Sequence, residues 1–544
     1  MWQLQSPEIK GAFALYANKQ KFKTHCNILF MKNLLFFILT VLFSALLPAQ
    51  PSIQWQKCLG GTNAEEANSI QQTSDGGYIV AGNTLSNDGD VSGYHGYSDF
   101  WVVKLNSAGN LQWQRTLGGS SLDFAYAVQQ TNDGGFIVAG FTESTDGDVL
   151  GNHGDKDVWL VKLSAIGTIE WQKCLGGSGW DEASSVRQTS DGGYVVAGQT
   201  SSSDGDVTGY HGTIDFWVVK LSGIGIIEWE KALGGSLYDI AYSVKQTPDG
   251  GYIVAGESDS NNGDASGLIG SSDFWVVKLS PAGVVEWQKM LGSTSLDRAN
   301  EICPTNDGGY IVTGLISWGN GDVNVHHGGF DYWVVKLNPL GEIQWEKTLG
   351  GSNQDYARSV QQTRDGGYVI AGYTPSTDGD VVGNDGGIDV WVVKLTEGGA
   401  IQWQKTFGGT QAERAHHIQQ TSEEGYIVSG HAKSNNGDVS GFHGVQDFWV
   451  VKLSPESSPT TEASTLPLEI FPNPATNSIS LTIPTEEPIL SLSITDLLGQ
   501  ELRRETILDT KQIDVSALPW GLYFLKATAP SGKVFAGKFI KGAN

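Results

Sequence analysis

Acidic residues recur at a fixed spacing in one short loop, and the spacing is that of a calcium-binding loop. In the segment SNDGDVSGYHGYSDFWVVKL, residues 86 to 105, loop positions 1, 3, 5, 6 and 12 are held by Asp88, Asp90, Ser92, Gly93 and Asp99. Calcium takes roughly six to eight oxygen ligands, and a loop of this kind offers several carboxylates and carbonyls. The pattern therefore suggests calcium as a cofactor, and no other cofactor has a recognisable motif.

The same loop occurs seven times, with Asp at positions 3 and 12 in every copy and Asp or Asn at position 1. The candidate calcium ligands are Asp88, Asp90, Asp99, Asp146, Asp148, Asp157, Asp204, Asp206, Asp215, Asp264, Asp273, Asp322, Asp331, Asp378, Asp380, Asp389, Asp438 and Asp447. A second interpretation stays open, because position 12 lacks the usual Glu and because Asp or Asn before Gly is an ordinary turn former. Calcium sites and purely structural turns are therefore both considered.

A histidine precedes a glycine in five copies of the loop, at His95, His153, His211, His327 and His443. One histidine per repeat would be spread around a ring and could not share a metal ion. We interpret these residues as part of the turn.

The acidic loops belong to a sequence repeat of 58 residues. Tryptophan recurs every 58 residues from Trp55 to Trp403, and again from Trp101 to Trp449. Each repeat contains four strand-like runs, such as ANSIQQT, GYIVAGNT, FWVVKL and LQWQRTLG, separated by turn residues. Four short strands per repeat are typical of a propeller blade. We predict an all-β protein with a seven-bladed β-propeller at residues 51 to 453, in which the tryptophans pack adjacent blades together.

The ends of the array predict how the ring closes. The array begins at residues 53 to 60 with a fourth-strand sequence, IQWQKCLG, and ends at residues 447 to 453 with a third-strand sequence, DFWVVKL. Pairing the two would complete the seventh blade and leave no exposed sheet edge there. We expect the closed propeller to be monomeric.

The first 50 residues read as export segments. Residues 31 to 50 combine a lysine, an apolar run and a small residue near a cleavage point, which is the pattern of a signal peptide. Residues 1 to 30 lack this pattern, and Met31 stands where a start codon belongs. We interpret residues 1 to 30 as a mis-called start or a leader.

Charge and cysteine content exclude several kinds of protein. The net charge is −25, and it is more negative without the lysine-rich first 50 residues. Such a surface repels nucleic acid and anionic lipid, so neither is an expected partner. Cys58 and Cys174 occupy equivalent positions in different repeats and are expected to pack rather than to form a disulfide, and Cys303 adds no scaffold pattern.

The end of the chain differs from the repeats. Residues 454 to 465 form a Ser/Thr/Pro-rich linker, and alternating strand patterns at residues 466 to 544 predict a small β-sandwich. Ordered motifs run through this tail, with marker residues Pro472, Asn473, Pro474, Asp496, Gly499, Gly521, Tyr523, Lys538 and Lys541.

With these motifs, the tail resembles the type A C-terminal sorting domain of the type IX secretion system (Por secretion) of Bacteroidota. The resemblance implies an immunoglobulin-like fold that the outer-membrane translocon recognises and a surface sortase removes. It also implies that the protein passes through the periplasm and is then secreted or displayed on the outer-membrane surface. The resemblance says nothing about the activity of the propeller.

The repeats favour binding over catalysis. An active site needs different groups that converge on one point, so it should break the repeat symmetry. The blade-specific candidates are Trp180, Trp318, His326, Asp385, His416 and His417. They form no recognisable catalytic motif. We expect a glycan- or protein-binding adhesion module, with a polysaccharide-degrading enzyme or a structural surface protein as alternatives.

Overall fold

The computed structural model describes residues 50–317, 319–384, 386–456, 466–482, 489–496, 501–508, 512–529 and 534–542. One compact unit spans Gln50–Glu456, and a second contains the described residues of the tail. Within these ranges the chain forms strands and no helix, so none of the described residues forms a helix that could cross a membrane. The predicted leader, most of the predicted signal peptide and most of the linker lie outside the described residues.

The larger unit consists of seven four-stranded antiparallel sheets, called blades 1 to 7 below. The chain enters with β1 (Ile53–Leu59). Blade 1 contains β2 (Glu65–Gln72), β3 (Tyr78–Thr84), β4 (Asp99–Leu105) and β5 (Leu111–Leu117). Blade 2 contains β6 (Asp123–Gln130), β7 (Phe136–Thr142), β8 (Asp157–Leu163) and β9 (Ile169–Leu175). Blade 3 contains β10 (Asp181–Gln188), β11 (Tyr194–Thr200), β12 (Asp215–Leu221) and β13 (Ile227–Leu233).

The remaining blades follow the same order. Blade 4 contains β14 (Asp239–Gln246), β15 (Tyr252–Ser258), β16 (Asp273–Leu279) and β17 (Val285–Leu291). Blade 5 contains β18 (Asp297–Pro304), β19 (Tyr310–Ile316), β20 (Asp331–Leu337) and β21 (Ile343–Leu349). Blade 6 contains β22 (Tyr356–Gln362), β23 (Tyr368–Thr374), β24 (Asp389–Leu395) and β25 (Ile401–Phe407). Blade 7 contains β26 (Glu413–Gln420), β27 (Tyr426–Ala432) and β28 (Asp447–Leu453).

The seven blades form a closed ring. The first strand of each blade contacts the first strand of the next blade, and β26 of blade 7 contacts β2 of blade 1. β1 supplies the fourth strand of blade 7, because it pairs antiparallel with β28 and places Cys58 opposite Trp449. The prediction of an all-β propeller is thus confirmed, and its N-terminal strand lies where the sequence placed it.

Both tryptophan series pack between blades. The Trp101 ring of blade 1 is fully buried, with its centroid 4.4 Å from that of Phe448 in blade 7. The Trp55 ring of blade 7 meets Tyr78 of blade 1 edge-on at 5.6 Å. These contacts agree with a packing role for the tryptophans, since each ring covers apolar area that a single blade could not bury.

A bulge in the first strand of each blade shapes the centre of the ring. In blade 1 the pairing register of β2 and β3 shifts between Ala67 and Ser69. The backbone comes so close there that a Cβ on Gly82 would lie 1.8 Å from the Glu66 carbonyl oxygen. Gly82 is therefore required at this position.

The first strands line a central channel, because they are the strands that contact one another around the ring.

The described part of the tail forms a five-stranded sheet and a three-stranded sheet. The strands are β29 (Leu466–Pro467), β30 (Glu469–Phe471), β31 (Ser478–Thr482), β32 (Ile489–Thr495), β33 (Glu501–Leu508), β34 (Gln512–Asp514), β35 (Gly521–Thr528) and β36 (Val534–Lys541). Their core includes Ile479, Ile494, Leu525 and Phe539. This arrangement agrees with the predicted small β-sandwich.

Candidate ligand-binding site at the mouth of the central channel

Three positions inside the ring vary from blade to blade, although the strands around them are nearly invariant. DFWVVKL, for example, is repeated unchanged in β4, β12, β16 and β28. The positions equivalent to the second residue of β2 hold Glu66, Phe124, Glu182, Ile240, Arg298, Tyr356 and Arg414. The positions equivalent to its fourth residue hold Asn68, Tyr126, Ser184, Tyr242, Asn300, Arg358 and His416. The sixth residues of the second strands are Asn83, Phe141, Gln199, Glu257, Leu315, Tyr373 and His431.

These variable side chains meet at one end of the channel, which we call the channel mouth. Residues from all seven blades, including Glu66, Tyr126, Glu182, Tyr242 and Arg358, line a cavity of about 470 Å³ there. The volume lies within the range of about 300–1,000 Å³ that is usual for ligand pockets. The repeat symmetry is therefore broken where a ligand has room to bind.

Arginines from three consecutive blades give one side of the channel mouth its charge. The Arg298 guanidinium lies 5.4 Å from the ring centroid of Tyr242, and the Arg414 guanidinium lies 4.8 Å from that of Tyr373. Arg358 lies over the same Tyr373 ring at 5.8 Å. Within the described part of the chain, the Nε atoms of these three arginines have no hydrogen-bond partner. These Nε atoms are also buried, so an acceptor in the cavity can reach only the terminal nitrogens of the guanidinium groups.

Glu66 lies beside two histidines at the channel mouth. Burial alone would raise the pKa of Glu66, but hydrogen bonding to His416 and the charges of His416, His431 and Arg358 hold it at about 2. Burial lowers the pKa of His431 to about 3, and the charge of His416 acts in the same direction. At neutral pH this corner of the channel mouth therefore contains an ionised carboxylate and a neutral His431.

Deeper in the channel, a buried charge network fills the part that we call the channel neck. Glu301 is 8% exposed and accepts a hydrogen bond from Lys245 Nζ at 2.8 Å. It also accepts bonds from Ser359 Oγ at 2.6 Å and the Val360 backbone N–H at 3.0 Å. Burial alone would raise the pKa of Glu301, but Lys245, His417 and these hydrogen bonds hold it at about 2.

The channel neck is as blade-specific as the channel mouth. Ser or Ala replaces Glu301 in five of the other blades, and Gln replaces Lys245 in four. The channel neck contains a cavity of about 220 Å³. Glu301 and Lys245 line it together with Arg187, Cys303 and His417. Burial lowers the pKa of His417 to about 4. The network places a buried ion pair further along the first strands than the channel mouth.

The acidic loops lie elsewhere, and the structure does not gather the carboxylates of one loop. Asp88 accepts the Thr62 backbone N–H at 2.8 Å, and Asp90 lies 3.2 Å from the Gly60 N–H. Asp99, from the same loop, accepts the His95 N–H at 2.8 Å and lies beside Gly118, at the next junction. Positions 3 and 12 of one loop therefore serve two different inter-blade junctions.

Each junction combines carboxylates from two blades. Around Gly118, Asp99 of blade 1 lies near Asp123 of blade 2, and Asp148 of blade 2 lies 3.4 Å from the Gly118 N–H. The equivalent sets are Asp157, Asp181 and Asp206; Asp215, Asp239 and Asp264; Asp273, Asp297 and Asp322; Asp331, Asp355 and Asp380; Asp389, Glu413 and Asp438; and Asp447, Glu65 and Asp90. In the described chain, Oδ1 of buried Asp99 has no hydrogen-bond partner, and the same holds for Asp157, Asp215, Asp331 and Asp447. Calcium at these junctions stays a prediction.

The calcium hypothesis predicts that a chelator lowers the thermal stability of the protein. We expect EDTA to lower the Tm of the purified protein by several degrees, because buried carboxylates would then lack their counter-ion. Added Ca²⁺ should restore the Tm, and Mg²⁺ serves as the control cation. A Tm that EDTA leaves unchanged would reject calcium in favour of structural turns.

A second prediction concerns the protonation of a junction carboxyl in calcium-free buffer. Burial raises the pKa of Asp123 to about 6, and nearby Asp99 adds to the shift. Because the folded state then binds this proton more tightly than the unfolded state does, its contribution to stability is lost as the pH rises through about 6. Asp123→Asn should therefore gain about 1 kcal/mol relative to the parent protein between pH 5 and pH 7.

Thermal unfolding of both proteins at these pH values in EDTA measures the difference. Asp75→Asn is the matched control, because hydrogen bonds and Lys104 outweigh burial and lower the pKa of Asp75 to about 2. The stability difference between this control and the parent protein should stay constant over the same pH range. Equal pH dependence for the two variants would contradict the assignment.

Most of the other residues that the sequence analysis singled out contact groups of their own loops or neighbouring loops. The Nδ1 atoms of His95, His153, His211 and His443 lie 2.8–3.0 Å from the Asp four residues later, in agreement with a turn role. His326 Nε2 lies 2.8 Å from the Gly329 carbonyl oxygen, and Trp180 is half-exposed beside Lys156. Trp318 and Asp385 lie outside the described residues.

Of those candidates, His416 lies at the channel mouth and His417 in the channel neck. Sequence reasoning missed Glu66, Arg298, Arg358, Arg414 and Glu301. A position-by-position alignment of the repeats could have found them, because they differ from their equivalents inside otherwise constant strands. Among the described residues, Cys58, Cys174 and Cys303 are free thiols.

In the tail, several residues of the predicted sorting signal come together on the last strand. Asn473 Oδ1 accepts the Ile540 backbone N–H at 2.9 Å, and Asn473 Nδ2 donates to the Lys538 carbonyl at 3.2 Å. Gly521 pairs with Lys541, and Tyr523 donates a hydrogen bond to the Pro519 carbonyl at 2.8 Å. Gly499 lies outside the described residues. Residues 469–541 match the model of the secretion system C-terminal sorting domain family.

This tail is a type IX sorting domain. The protein is therefore exported, either secreted or attached at the cell surface, and its tail interacts with the type IX secretion machinery. The match covers the tail and gives no information about the role of the propeller.

No curated protein sequence is significantly similar to the chain. Among solved structures, the chain is similar to the extracellular domain of a one-component system from B. thetaiotaomicron, with 12% identity, a TM-score of 0.39 and coverage of 90% of this chain and 58% of that one. It is also similar to puromycin hydrolase, with 10% identity, a TM-score of 0.42 and coverage of 88% and 62%. A protein of unknown function from Bacteroides caccae matches with 12% identity, a TM-score of 0.34 and coverage of 63% and 94%.

Proposed function

We propose that the exported propeller is a binding module whose channel mouth holds the acidic end of a glycan. The observation that carries the proposal is the arginine group of blades 5, 6 and 7, whose guanidinium groups lie over the Tyr242 and Tyr373 rings and of which Arg358 lines the cavity. Guanidinium groups bind carboxylate and sulfate groups through paired hydrogen bonds. An anionic group is therefore the part of the ligand that this side of the channel mouth fits.

Aromatic rings on the other blades supply the second part of the argument. Tyr126 of blade 2 and Tyr242 of blade 4 line the channel-mouth cavity. The negative face of an aromatic ring attracts the apolar, slightly positive C–H face of a sugar. A ligand that joins a sugar ring to an anionic group matches both sides of the channel mouth.

Charge and size limit the length of the bound segment. The protein carries a net charge of −25, which opposes the approach of a long polyanion. The cavity of about 470 Å³ accommodates a small terminal group. Both features favour one acidic sugar at a chain end over the interior of an acidic polymer.

A glycan array with matched pairs tests the proposal. Each pair contains a glycan that ends in sialic acid or glucuronic acid and the same glycan without that sugar, for example sialyllactose and lactose. We expect binding to the acidic members that weakens as the salt concentration rises. Equal binding to both members of each pair, or binding to proteins alone, would reject the proposal.

A further inference from the structure

We propose that Glu66, His416 and His431 bind a transition-metal ion at the channel mouth, with zinc as the expected occupant. Glu66 lies on β2 of blade 1, and His416 and His431 lie on β26 and β27 of blade 7. The site thus joins blade 1 to blade 7. Its existence does not depend on glycan binding, because the metal can be measured without any glycan.

The distances between the three candidate ligand atoms fit one small ion. His416 Nε2 lies 3.1 Å from Glu66 Oε1 and 3.3 Å from His431 Nδ1, and His431 Nδ1 lies 3.8 Å from Glu66 Oε1. A circle through three such points has a radius of about 2.0 Å, which is the length of a zinc–ligand bond. An ion can therefore reach all three atoms from their present positions.

Hydrogen bonds alone satisfy this group poorly. A proton on His416 Nε2 would have to be shared between Glu66 Oε1 and His431 Nδ1. A proton on His431 Nδ1 would instead leave the lone pair of His416 facing a carboxylate oxygen at 3.1 Å. Three ligand atoms thus converge within 3.8 Å of one another, and a divalent cation is the partner that serves the lone pairs of all three.

The arrangement is specific to one pair of blades. At the positions of His416 and His431, the other six blades carry no histidine. In the described part of the chain, these three residues are also the one group of His, Cys, Asp and Glu whose ligand atoms all lie within 4.8 Å of one another. The cluster therefore depends on two histidines that blade 7 alone carries at these positions.

The ligand set indicates the metal and its coordination. Two imidazoles and one carboxylate are a ligand set of zinc sites that keep a position open for water or another ligand. Calcium and magnesium prefer sets made only of oxygen atoms. Glu66 and His416 line the channel-mouth cavity, so the open position is accessible from it. Arg358 and Arg414 lie nearby and moderate the affinity, which we expect to be micromolar.

Titration of the EDTA-treated full-length protein with ZnCl₂ in excess CaCl₂ tests the proposal. The calcium occupies sites made only of oxygen atoms, and calorimetry should then report one zinc per chain. CoCl₂ should give the intense visible absorption of a four-coordinate cobalt ion. Glu66→Gln and His416→Gln should each weaken zinc binding on the order of 100-fold, since each removes a ligand and not merely an outer partner.

His153→Gln is the control, because His153 is half-exposed and pairs with Asp157 outside the cluster. It should bind zinc like the parent protein. If His416→Gln fails to fold, Glu66→Gln decides the question, because the Glu66 side chain is 36% exposed and its amide keeps the same shape. Absence of one-to-one binding by the parent protein, or unchanged binding by Glu66→Gln, would overturn the proposal.

Discussion

Glu301→Ser is expected to lower the free energy of unfolding by about 3–5 kcal/mol, the usual cost of removing one partner from a buried ion pair. The substitution leaves Lys245 and Arg187 in the channel neck without their carboxylate, together with the Val360 N–H. Serine is nevertheless the residue at the equivalent position of blades 1, 3, 4 and 6. Chemical denaturation of both proteins measures the difference.

The repeats supply the compensating change for this variant. Gln occupies the position of Lys245 in blades 1, 2, 6 and 7, so Lys245→Gln restores the common residue. The double variant Lys245→Gln/Glu301→Ser should recover much of the lost stability, because it removes an unpaired buried charge. Additive losses from the two substitutions would show that the ion pair does not hold the channel neck together.

Arg358→Asn is expected to weaken binding of the acidic glycan by about 10- to 100-fold, because a hydrogen bond to a charged group contributes roughly 1.5–3 kcal/mol. Asparagine is the residue at the equivalent position of blades 1 and 5, so the strand should tolerate it. Affinity is measured by calorimetry with the acidic glycan that the array identifies.

The matched control removes the same charge from the same blade. Arg364 lies six residues further on, in the turn before β23, where it is exposed and donates to the Ser422 carbonyl. Arg364→Gln should bind the glycan as tightly as the parent protein does. If both substitutions weaken binding equally, the effect comes from net charge, and the channel mouth is not the binding site.

The architecture was predictable because it rests on periodic features. The tryptophans mark every blade, and the turn after the first strand carries glycine at positive φ in blades 1 to 6, with Glu424 in that place in blade 7. The incomplete repeats at the two ends also predicted the pairing of β1 with β28. Local sequence patterns are sufficient to predict this fold, because the strands paired within a blade are, apart from β1, consecutive in the sequence.

The channel mouth was harder to predict because its residues are far apart in the sequence. Glu66 meets His416 only because the ring brings blade 7 back to blade 1. The spacing within one acidic loop does not show which residues share a junction, because Asp90 and Asp99 are close in sequence but lie at neighbouring junctions. A linear motif cannot show which blade supplies the other half of a site.

A crystal structure of the protein with a bound acidic oligosaccharide tests the central claim most directly. The predicted result places the carboxylate of the terminal sugar against Arg298, Arg358 or Arg414, with the sugar ring in the cavity that Tyr126 and Tyr242 line. A sugar bound on the outer strands or at the inter-blade junctions, with the channel mouth empty, would contradict the proposed function.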